Sequence, residues 1–398
     1  MKIKLHTQIL LGIVFGVFAG VLLRENAIFF EPLGNLFIRL LRMVVVPVVF
    51  SSLVVGVLNL GNVQSLGRLG ARTFIYYVVT TMMAVLIGLM VVNVIQPGVD
   101  AELPFVTQDS VFELEQDKLY VSEFLQKIVP SNVLRAMAEE QMLGLIFFSI
   151  IFGCALLAIG RKSEVLGKCV EGINDVVLKI TDWIMYLAPF GVFALMASLV
   201  GKMGISAFMP LALYMVTVIL GLVLHVIFVL SVILIVVGKF SPVTFIKKAL
   251  PALATAFSTD SSIATLPVTM ETLEKNVGVS KKVTSFVAPL GATINMDGTA
   301  LYEAVAAMFI AQVYGVDMTL TQQLIISLTA TLASIGAAGI PSAGLVTLVV
   351  VLRSVNLPLE GIGLLLAVDR VLDMCRTTVN VLGDMVGAFI VNKYEQKK

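Results

Sequence analysis

The chain has 398 residues, of which 58% are hydrophobic and 13% are charged, and its formal net charge at pH 7 is +1. Soluble domains carry about 25% charged residues. This composition therefore excludes an ordinary soluble protein and favours a membrane protein that crosses the bilayer several times. The near-zero net charge and the lack of a basic tract argue against nucleic-acid binding.

Six apolar segments in the first 240 residues are long enough to cross a bilayer. They lie near residues 7–24, 33–60, 73–96, 140–160, 170–200 and 206–238. Lysine and arginine residues cluster in alternate connections and at both chain ends, whereas the connection 99–123 is acidic. By the positive-inside rule, we predict that both termini are cytoplasmic and that residues 99–123 lie outside.

The pattern changes after residue 240, where two apolar stretches are each interrupted near the middle. Residues 244–274 are broken by small and polar residues at 256–268, and residues 321–355 are broken in the same way at 333–345. Irregular backbone at membrane depth is tolerated only where it is buried in protein or lines a cavity. We therefore predict two re-entrant hairpins, each followed by a helix that carries polar residues. Such an inverted repeat places a binding site at the centre of the protein.

The last apolar segment, residues 361–391, carries a stripe of polar side chains. At about 100° per residue, the stripe occupies roughly 100° of arc on a helix. Its members are Asp369, Asp373, Arg376, Thr377, Asn380 and Asp384. Ionisable groups inside a membrane are costly and usually mark a substrate or ion pathway.

A second polar segment, residues 291–299, places Asn295 and Asp297 between glycines inside an apolar stretch. This pattern predicts a locally unwound helix, whose free carbonyls and carboxylate suit a small hard cation such as Na⁺. The alternative is a kinked helix whose polar groups bond to one another.

The charges of the final helix can be paired in part. We pair Asp373 with Arg376, and Asp369 with Arg370, which leaves Asp384 and Asp297 without a partner. A buried lone carboxylate takes a proton or recruits a cation, so cation coupling is the economical hypothesis.

The same stripe suggests a substrate. The planar fork of Arg376 matches a carboxylate, and Asp373 can hold an ammonium group, so the pair suits an amino acid with an acidic side chain. The α-carboxylate would be met by Asn380 and by groups at Ser261 and Ser262. The alternative is a purely structural buried salt bridge.

Four motifs now make the chain recognisable: DSSIATLP, NMDGT, SIGAAGIPSAG and DMCRTTVNVLGD, in this order. Over essentially its whole length the chain resembles the glutamate transporter family of dicarboxylate/amino acid:cation symporters. The resemblance implies an all-α polytopic membrane protein with eight transmembrane helices, two re-entrant hairpins, inverted repeats and an elevator mechanism. It also implies a homotrimer in the cell membrane, surrounded by lipid, with Na⁺ as coupling ion and no organic cofactor.

The resemblance also divides the chain into two parts. Residues 1–72 and 99–205 would form a scaffold, and residues 73–98 and 206–398 a mobile transport domain. The transport domain would contain the hairpins 244–274 and 321–355, the latter acting as the extracellular gate. It would also contain the polar helices 281–314 and 360–392.

Site residues are assigned by motif position. Arg376 would bind the side-chain carboxylate of the substrate, Asp373 its amino group, and Asp369 would orient Arg376. The substrate site would be completed by Asn380, Thr377, Thr299, Ser261, Ser262 and the backbone around Ile340 and Gly344. One sodium site would use Asp384 with carbonyls of Gly291, Asn295 and Asn380. A second would use Asp297, Asn295, Tyr77, Thr80 and Thr81. A third, near Met296, would use carbonyls of Thr293, Ser334, Ile335 and Ala337.

Four positions bear on the coupling ion and the substrate. Met296 and Ile263 differ from the pattern of proton-driven members and so favour Na⁺. Glu303 resembles the proton-carrying position of eukaryotic members, so we hypothesise that a proton accompanies sodium. Asp260 replaces a serine or arginine at the first hairpin and would weaken the binding of an acidic substrate unless it pairs with Arg370 or another cation.

We therefore predict a symporter for aspartate or glutamate. A C4-dicarboxylate symporter is a close alternative, although its substrate offers no ammonium to Asp373. A neutral substrate would leave Arg376 unmatched. An anion channel is the alternative from another class, but the sequence shows no charged ring that defines a pore. An enzyme is disfavoured, since we find no nucleophile–base pair or phosphate loop.

Overall fold

The computed structural model describes residues 5–65, 68–99, 101, 129–139, 141–203, 208–335 and 343–396. Within these ranges the secondary structure is helical, with no β-strand. Almost all of the predicted outer connection 99–123 lies outside the described residues, as does the segment 336–342.

The α-helices are, in chain order, α1 Leu5–Leu23, α2 Glu31–Ser65, α3 Arg68–Ile95, α4 Val133–Ala138, α5 Met142–Ile159, α6 Glu164–Met185, α7 Ala188–Met203, α8 Phe208–His225, α9 Ser231–Val236, α10 Pro242–Thr259, α11 Ser262–Thr272, α12 Lys281–Ile294, α13 Asp297–Val313, α14 Leu320–Ile335, α15 Ala343–Ser354 and α16 Ile362–Gln396. Helices α8 and α9 are joined by the π-helical turn Val226–Leu230, and a second π-helical turn, Leu273–Val277, follows α11.

Five helical stretches of the described residues are long and apolar enough to cross a membrane. They are Thr7–Leu58, Gly70–Ile95, Leu143–Met185, Met209–Val236 and Val368–Gln396. Shorter apolar helices include Leu320–Ile335 and Gly344–Ser354, in the region where the sequence predicts half-length segments. By length and composition, these helices are those of a membrane protein.

One predicted segment needs correction. Residues 170–200 were expected to form a single spanning segment, but α6 ends at Met185 and α7 begins at Ala188. Pro189 explains the break, since proline has no amide hydrogen and its ring clashes with the carbonyl four residues earlier. Helix α7 then packs along α1.

The helices pack in two groups. Helices α1, α2, α5, α6 and α7 contact one another, while α3, α8 and α10 to α16 pack around α13 and α16. Every residue of α13 except Gln312 is buried. The centre of the second group therefore contains the two polar helices that the sequence singles out.

The first predicted interruption, within residues 256–268, lies at Asp260 and Ser261. Asp260 has a left-handed backbone, with φ 49° and ψ 30°, and ends α10. Ser261 is extended and caps α11, its hydroxyl accepting a hydrogen bond from the Ala264 amide at 3.1 Å. Helices α10 and α11 contact each other, as do α14 and α15.

The predicted unwinding within residues 291–299 is confirmed. Helix α12 ends at Ile294, and the next two residues leave helical geometry, with φ −88° and ψ 96° at Asn295 and φ −122° and ψ 49° at Met296. Helix α13 begins at Asp297. The break exposes carbonyls at the end of α12 and amides at the start of α13, which lack partners within their own helices.

Candidate functional site

Arg376 is the largest of the fully buried side chains and lies midway along α16. Its Nε donates a hydrogen bond to Asp373 Oδ1 at 2.8 Å, and its Nη1 lies 3.1 Å from Asp369 Oδ1. The guanidinium carbon is 4.1 Å from the centre of the Tyr302 ring. Two carboxylates and an aromatic face thus fix the guanidinium, while Nη2 has no hydrogen-bond partner among the described residues.

Two glycines bring neighbouring backbones against Arg376. A Cβ atom at Gly344, in the first turn of α15, would lie 2.9 Å from Cζ and Nη1 of Arg376. A Cβ atom at Gly298, in the first turn of α13, would lie 2.6 Å from the Arg376 carbonyl oxygen. The first turn of α15 therefore approaches the buried guanidinium, and the first turn of α13 approaches the Arg376 backbone. Free amides and the positive end of the helix dipole make such a place favourable for an anion.

The pairing predicted from spacing is correct for Asp373 and wrong for Asp369, although the resemblance places Asp369 beside Arg376. Asp369 contacts Arg376, whereas Arg370 forms an ion pair with Asp260 at the end of α10. The side chains of Arg370 and Asp260 are 10% and 1% exposed. Asp260 is thus neutralised by a cation of α16.

Asn380 joins α16 to the unwound start of α13. Its Oδ1 accepts a hydrogen bond from the Gly298 amide at 2.7 Å, and its Nδ2 lies 3.2 Å from Thr299 Oγ1 and 3.3 Å from Met296 Sδ. The side chains of Asn380 and Thr299 are both buried. The structure therefore brings these two predicted substrate residues into direct contact.

Asp384 lies one turn further along α16 and faces the end of α12. Its Oδ1 accepts a hydrogen bond from Asn295 Nδ2 at 2.9 Å, while Asn295 Oδ1 is buried without a hydrogen-bond partner among the described residues. A Cβ atom at Gly291 would lie 2.5 Å from both Asp384 Oδ1 and Tyr77 Oη. Glycine is therefore required at this position to leave room between the carboxylate and the phenol.

Asp297 is fully buried at the start of α13 and is held from two other helices. The Thr81 hydroxyl of α3 donates to Oδ1 at 2.7 Å, and His225 Nε2 lies 3.1 Å from Oδ2. The nearby Thr80 hydroxyl is buried and bonds to carbonyls of its own helix. Asp297 and Asp384 were predicted to lack partners, yet both are hydrogen-bonded. Among the described residues, neither forms an ion pair with lysine or arginine.

This donor set fits a small hard cation. Carboxylate, amide and backbone oxygens gather where α12 is unwound, and the orphaned Asn295 Oδ1 is directed at no protein donor in the described part of the chain. Buried oxygens without donors are stabilised by a cation, and Na⁺ prefers such ligands. Asp384, Asp297 and Asn295 are the residues that would hold it.

Glu303 lies two turns into α13 and is fully buried. Its Oε1 accepts a hydrogen bond from the Thr347 hydroxyl of α15, and its Oε2 has no hydrogen-bond partner among the described residues. The carboxyl therefore connects the two helices that approach Arg376.

The remaining predicted residues are placed as follows. Thr377, Ser261 and Ser262 are buried. Thr293, Ser334 and Ile335 occupy the last turns of α12 and α14, which contact each other and whose final carbonyls lack intrahelical partners. Ile340 and Ala337 lie outside the described residues.

Sequence reasoning missed His225. The chain has two histidines, His6 and His225, and a lone histidine in an apolar segment is more often a structural residue than a ligand. Residues 225 and 297 are far apart in the chain, so only the packing of α8 against α13 reveals their contact. The one available signal was that His225 is an ionisable residue inside an apolar segment.

Comparison with known proteins accounts for this arrangement. The model of the sodium:dicarboxylate symporter family matches residues 5–394. The proton/sodium-glutamate symport protein of Geobacillus stearothermophilus is 37% identical over 404 residues, covering 99% of this chain and 95% of the relative. The proton/glutamate-aspartate symporter of Bacillus subtilis is 38% identical, with coverages of 100% and 96%. The human excitatory amino acid transporter 3 is 36% identical, with coverages of 97% and 84%. The buried polar helices of the chain meet at Arg376, and the family model matches nearly the whole chain. The protein therefore belongs to the sodium:dicarboxylate symporter family and is a transporter, not an enzyme.

Proposed function

We propose that the chain is a secondary active symporter that takes up aspartate or glutamate, driven by the Na⁺ gradient. The observation that carries this proposal is the fully buried Arg376, whose Nη2 has no hydrogen-bond partner among the described residues. A buried guanidinium with unused donors, approached by the N-terminus of α15, is suited to bind a carboxylate. The relatives named above as glutamate symporters support the same substrate class.

Asp373 favours an amino acid over a plain dicarboxylate. Its Oδ1 accepts a hydrogen bond from Arg376 Nε, and a carboxylate can accept several. An ammonium group of the substrate would be a favourable positive partner for this carboxylate. A C4-dicarboxylate would instead place a like charge near it, which is unfavourable in a buried site.

Sodium is the proposed coupling ion because two buried carboxylates lie at the unwound segment and, among the described residues, neither is paired with a lysine or arginine. A cation would compensate the negative charge of Asp384, and another that of Asp297. Asn295 Oδ1, which has no hydrogen-bond partner among the described residues, would be a further ligand of one of these cations. Cation binding would also order the α12–α13 break against α16. Substrate and sodium would therefore bind cooperatively, through the contacts of Asn380.

We further propose that Glu303 carries a proton during uptake. An ionised carboxylate buried without a basic partner is costly, and a proton removes that cost. Thr347 on α15 contacts Glu303, and α15 also covers Arg376, so the proton would act on the helix that closes over the substrate. Relatives named as proton symporters and as proton/sodium symporters are both similar to the chain, which is consistent with two coupled ions.

At the level of the whole protein we propose a homotrimer in the lipid of the cell membrane, with cytoplasmic termini. Residues 1–72 and 99–205 would form its scaffold. The group that contains α13 and α16 would move as the transport domain in an elevator mechanism, with the helix pairs α10–α11 and α14–α15 as re-entrant hairpins. The helices of each group contact one another more extensively than they contact the other group, which supports this division.

Calorimetry on the purified protein tests the proposal. Aspartate, glutamate, succinate and asparagine are titrated in Na⁺ and in K⁺ at matched ionic strength. Tight binding of aspartate or glutamate only in Na⁺ is expected. Equal binding in both salts would refute sodium coupling, and succinate binding as tightly as aspartate would favour the dicarboxylate alternative. Uptake into proteoliposomes, with the substrate recovered unmodified, then separates symport from binding alone.

A further inference from the structure

His225 occupies an unusual place in the fold. It is the last residue of α8, immediately before the π-helical turn Val226–Leu230, and its side chain is fully buried. π-helical turns inside helices are rare and are often found at functional sites. Helix α8 packs against α3, α13 and α16, so the imidazole lies at the junction of the elements that carry the buried carboxylates.

The contact with Asp297 makes His225 Nε2 a donor when Asp297 binds a cation. A cation-binding carboxylate is ionised and accepts hydrogen bonds without donating any, so the 3.1 Å contact then requires a hydrogen on His225 Nε2. In the neutral imidazole the other nitrogen, Nδ1, is then an acceptor, and it has no hydrogen-bond partner among the described residues. His225 thus contributes one directed donor to Asp297.

The two carboxylate oxygens of Asp297 contact side chains of two different helices. Thr81 of α3 donates to Oδ1 at 2.7 Å, and His225 of α8 donates to Oδ2. On the side of α16, a Cβ atom at Gly383 would lie 3.2 Å from Oδ2 and 2.7 Å from Asn295 Nδ2. The absence of a side chain at Gly383 leaves space beside the carboxylate. The two donors therefore fix the carboxylate plane while lone pairs remain available toward the unwound segment.

We propose that His225 is a positioning residue for cation binding: by donating from Nε2 to Asp297, it orients the carboxylate toward the sodium site at the α12–α13 break. This inference rests on the proposed function, in which Asp297 is a sodium ligand. Outer hydrogen-bond partners of metal-binding carboxylates have this effect elsewhere, and their loss typically weakens metal affinity by about 10- to 100-fold.

Two substitutions of equal charge separate the donor from the volume of the side chain. In His225→Gln the side-chain amide nitrogen can occupy the place of Nε2, so the donor is kept. In His225→Leu a similar apolar volume is kept and the donor is lost. We expect the sodium concentration that half-saturates the protein to rise by about 10-fold or more in His225→Leu and to change by less than about 3-fold in His225→Gln.

The readouts do not depend on transport. Sodium-dependent thermal stabilisation without substrate gives the sodium affinity, and calorimetry gives the aspartate affinity at saturating Na⁺. If His225 positions Asp297, His225→Leu lowers the sodium affinity. Its aspartate affinity at saturating Na⁺ then stays within about 3-fold of that of the wild type. A general packing defect would lower the unfolding temperature in the absence of sodium in both variants.

The outcomes are distinguishable. If the wild-type protein shows no sodium-dependent stabilisation or binding, the proposed function fails before His225 is tested. If the wild type responds to sodium and His225→Leu responds at the same concentrations, His225 does not position Asp297. If His225→Gln is as weak as His225→Leu, the donor is not what matters and the inference is overturned.

Discussion

The ion pair between Asp260 and Arg370 allows a prediction about substrate affinity. Replacing Arg370 by glutamine removes the cation and leaves Asp260, which is 2% exposed, as an uncompensated negative charge beside the polar helix α16. Because the proposed substrate is an anion held by Arg376, this charge repels it. We expect Arg370→Gln to weaken the binding of aspartate without removing any group that contacts the substrate.

The magnitude follows from the helix geometry. Arg370 and Arg376 are six residues apart on α16, which corresponds to about 9 Å along the helix axis. This separation approximates the distance between Asp260, which lies at Arg370, and a substrate carboxylate held by Arg376. At an effective dielectric constant of about 20, two unit charges about 9 Å apart repel by about 1.8 kcal/mol, which is about a 20-fold change in Kd. The loss of a buried partner also destabilises the fold by up to about 3–5 kcal/mol, less if water reaches Asp260.

A double-mutant cycle, with aspartate Kd measured by calorimetry at saturating Na⁺, tests the reasoning. Asp260→Ser should bind aspartate at least as tightly as the wild type, because it removes the acid. Asp260→Ser combined with Arg370→Gln should return to within about 3-fold of the wild type, since the pair is removed as a neutral unit. If the double variant is as weak as Arg370→Gln alone, Arg370 does not act by neutralising Asp260 and the argument is refuted.

Three further changes test other parts of the site. Arg376→Lys keeps the charge but loses the fork and the Tyr302 contact, so aspartate affinity measured by calorimetry should fall about 100-fold or more; a loss under 10-fold would contradict carboxylate recognition by the fork. Gly291→Ala places a methyl group 2.5 Å from Asp384 Oδ1 and should abolish sodium-dependent thermal stabilisation, whereas Gly172→Ala, with open space, should not. Glu303→Gln should remove uptake driven by a pH gradient in proteoliposomes and keep sodium-driven uptake; unchanged pH dependence would exclude Glu303 as the proton carrier.

Much of the fold and of the candidate site could be predicted from local pattern. Apolar length identified membrane-spanning segments, because a spanning helix must present about 20 apolar residues to the bilayer. Helical periodicity placed Asp369, Asp373, Arg376 and Asp384 on one face, and the glycines around Asn295 indicated the break between α12 and α13. Each of these inferences concerns neighbours in the chain, for which helix geometry alone relates sequence to space.

Local sequence patterns could not predict which charged side chains pair between different helices. By spacing on one helix Asp369 could pair with either Arg370 or Arg376, and only the resemblance placed it beside Arg376. In the structure Asp260 approaches α16 from α10 and pairs with Arg370, while Asp369 contacts Arg376. The contact of His225 with Asp297 likewise depends on how α8 packs against α13. A sequence determines which charges are buried, since burial follows hydrophobic length. Only the tertiary structure decides how those charges are paired, because Coulomb energy and hydrogen bonding depend on distances of a few ångströms between helices remote in the chain.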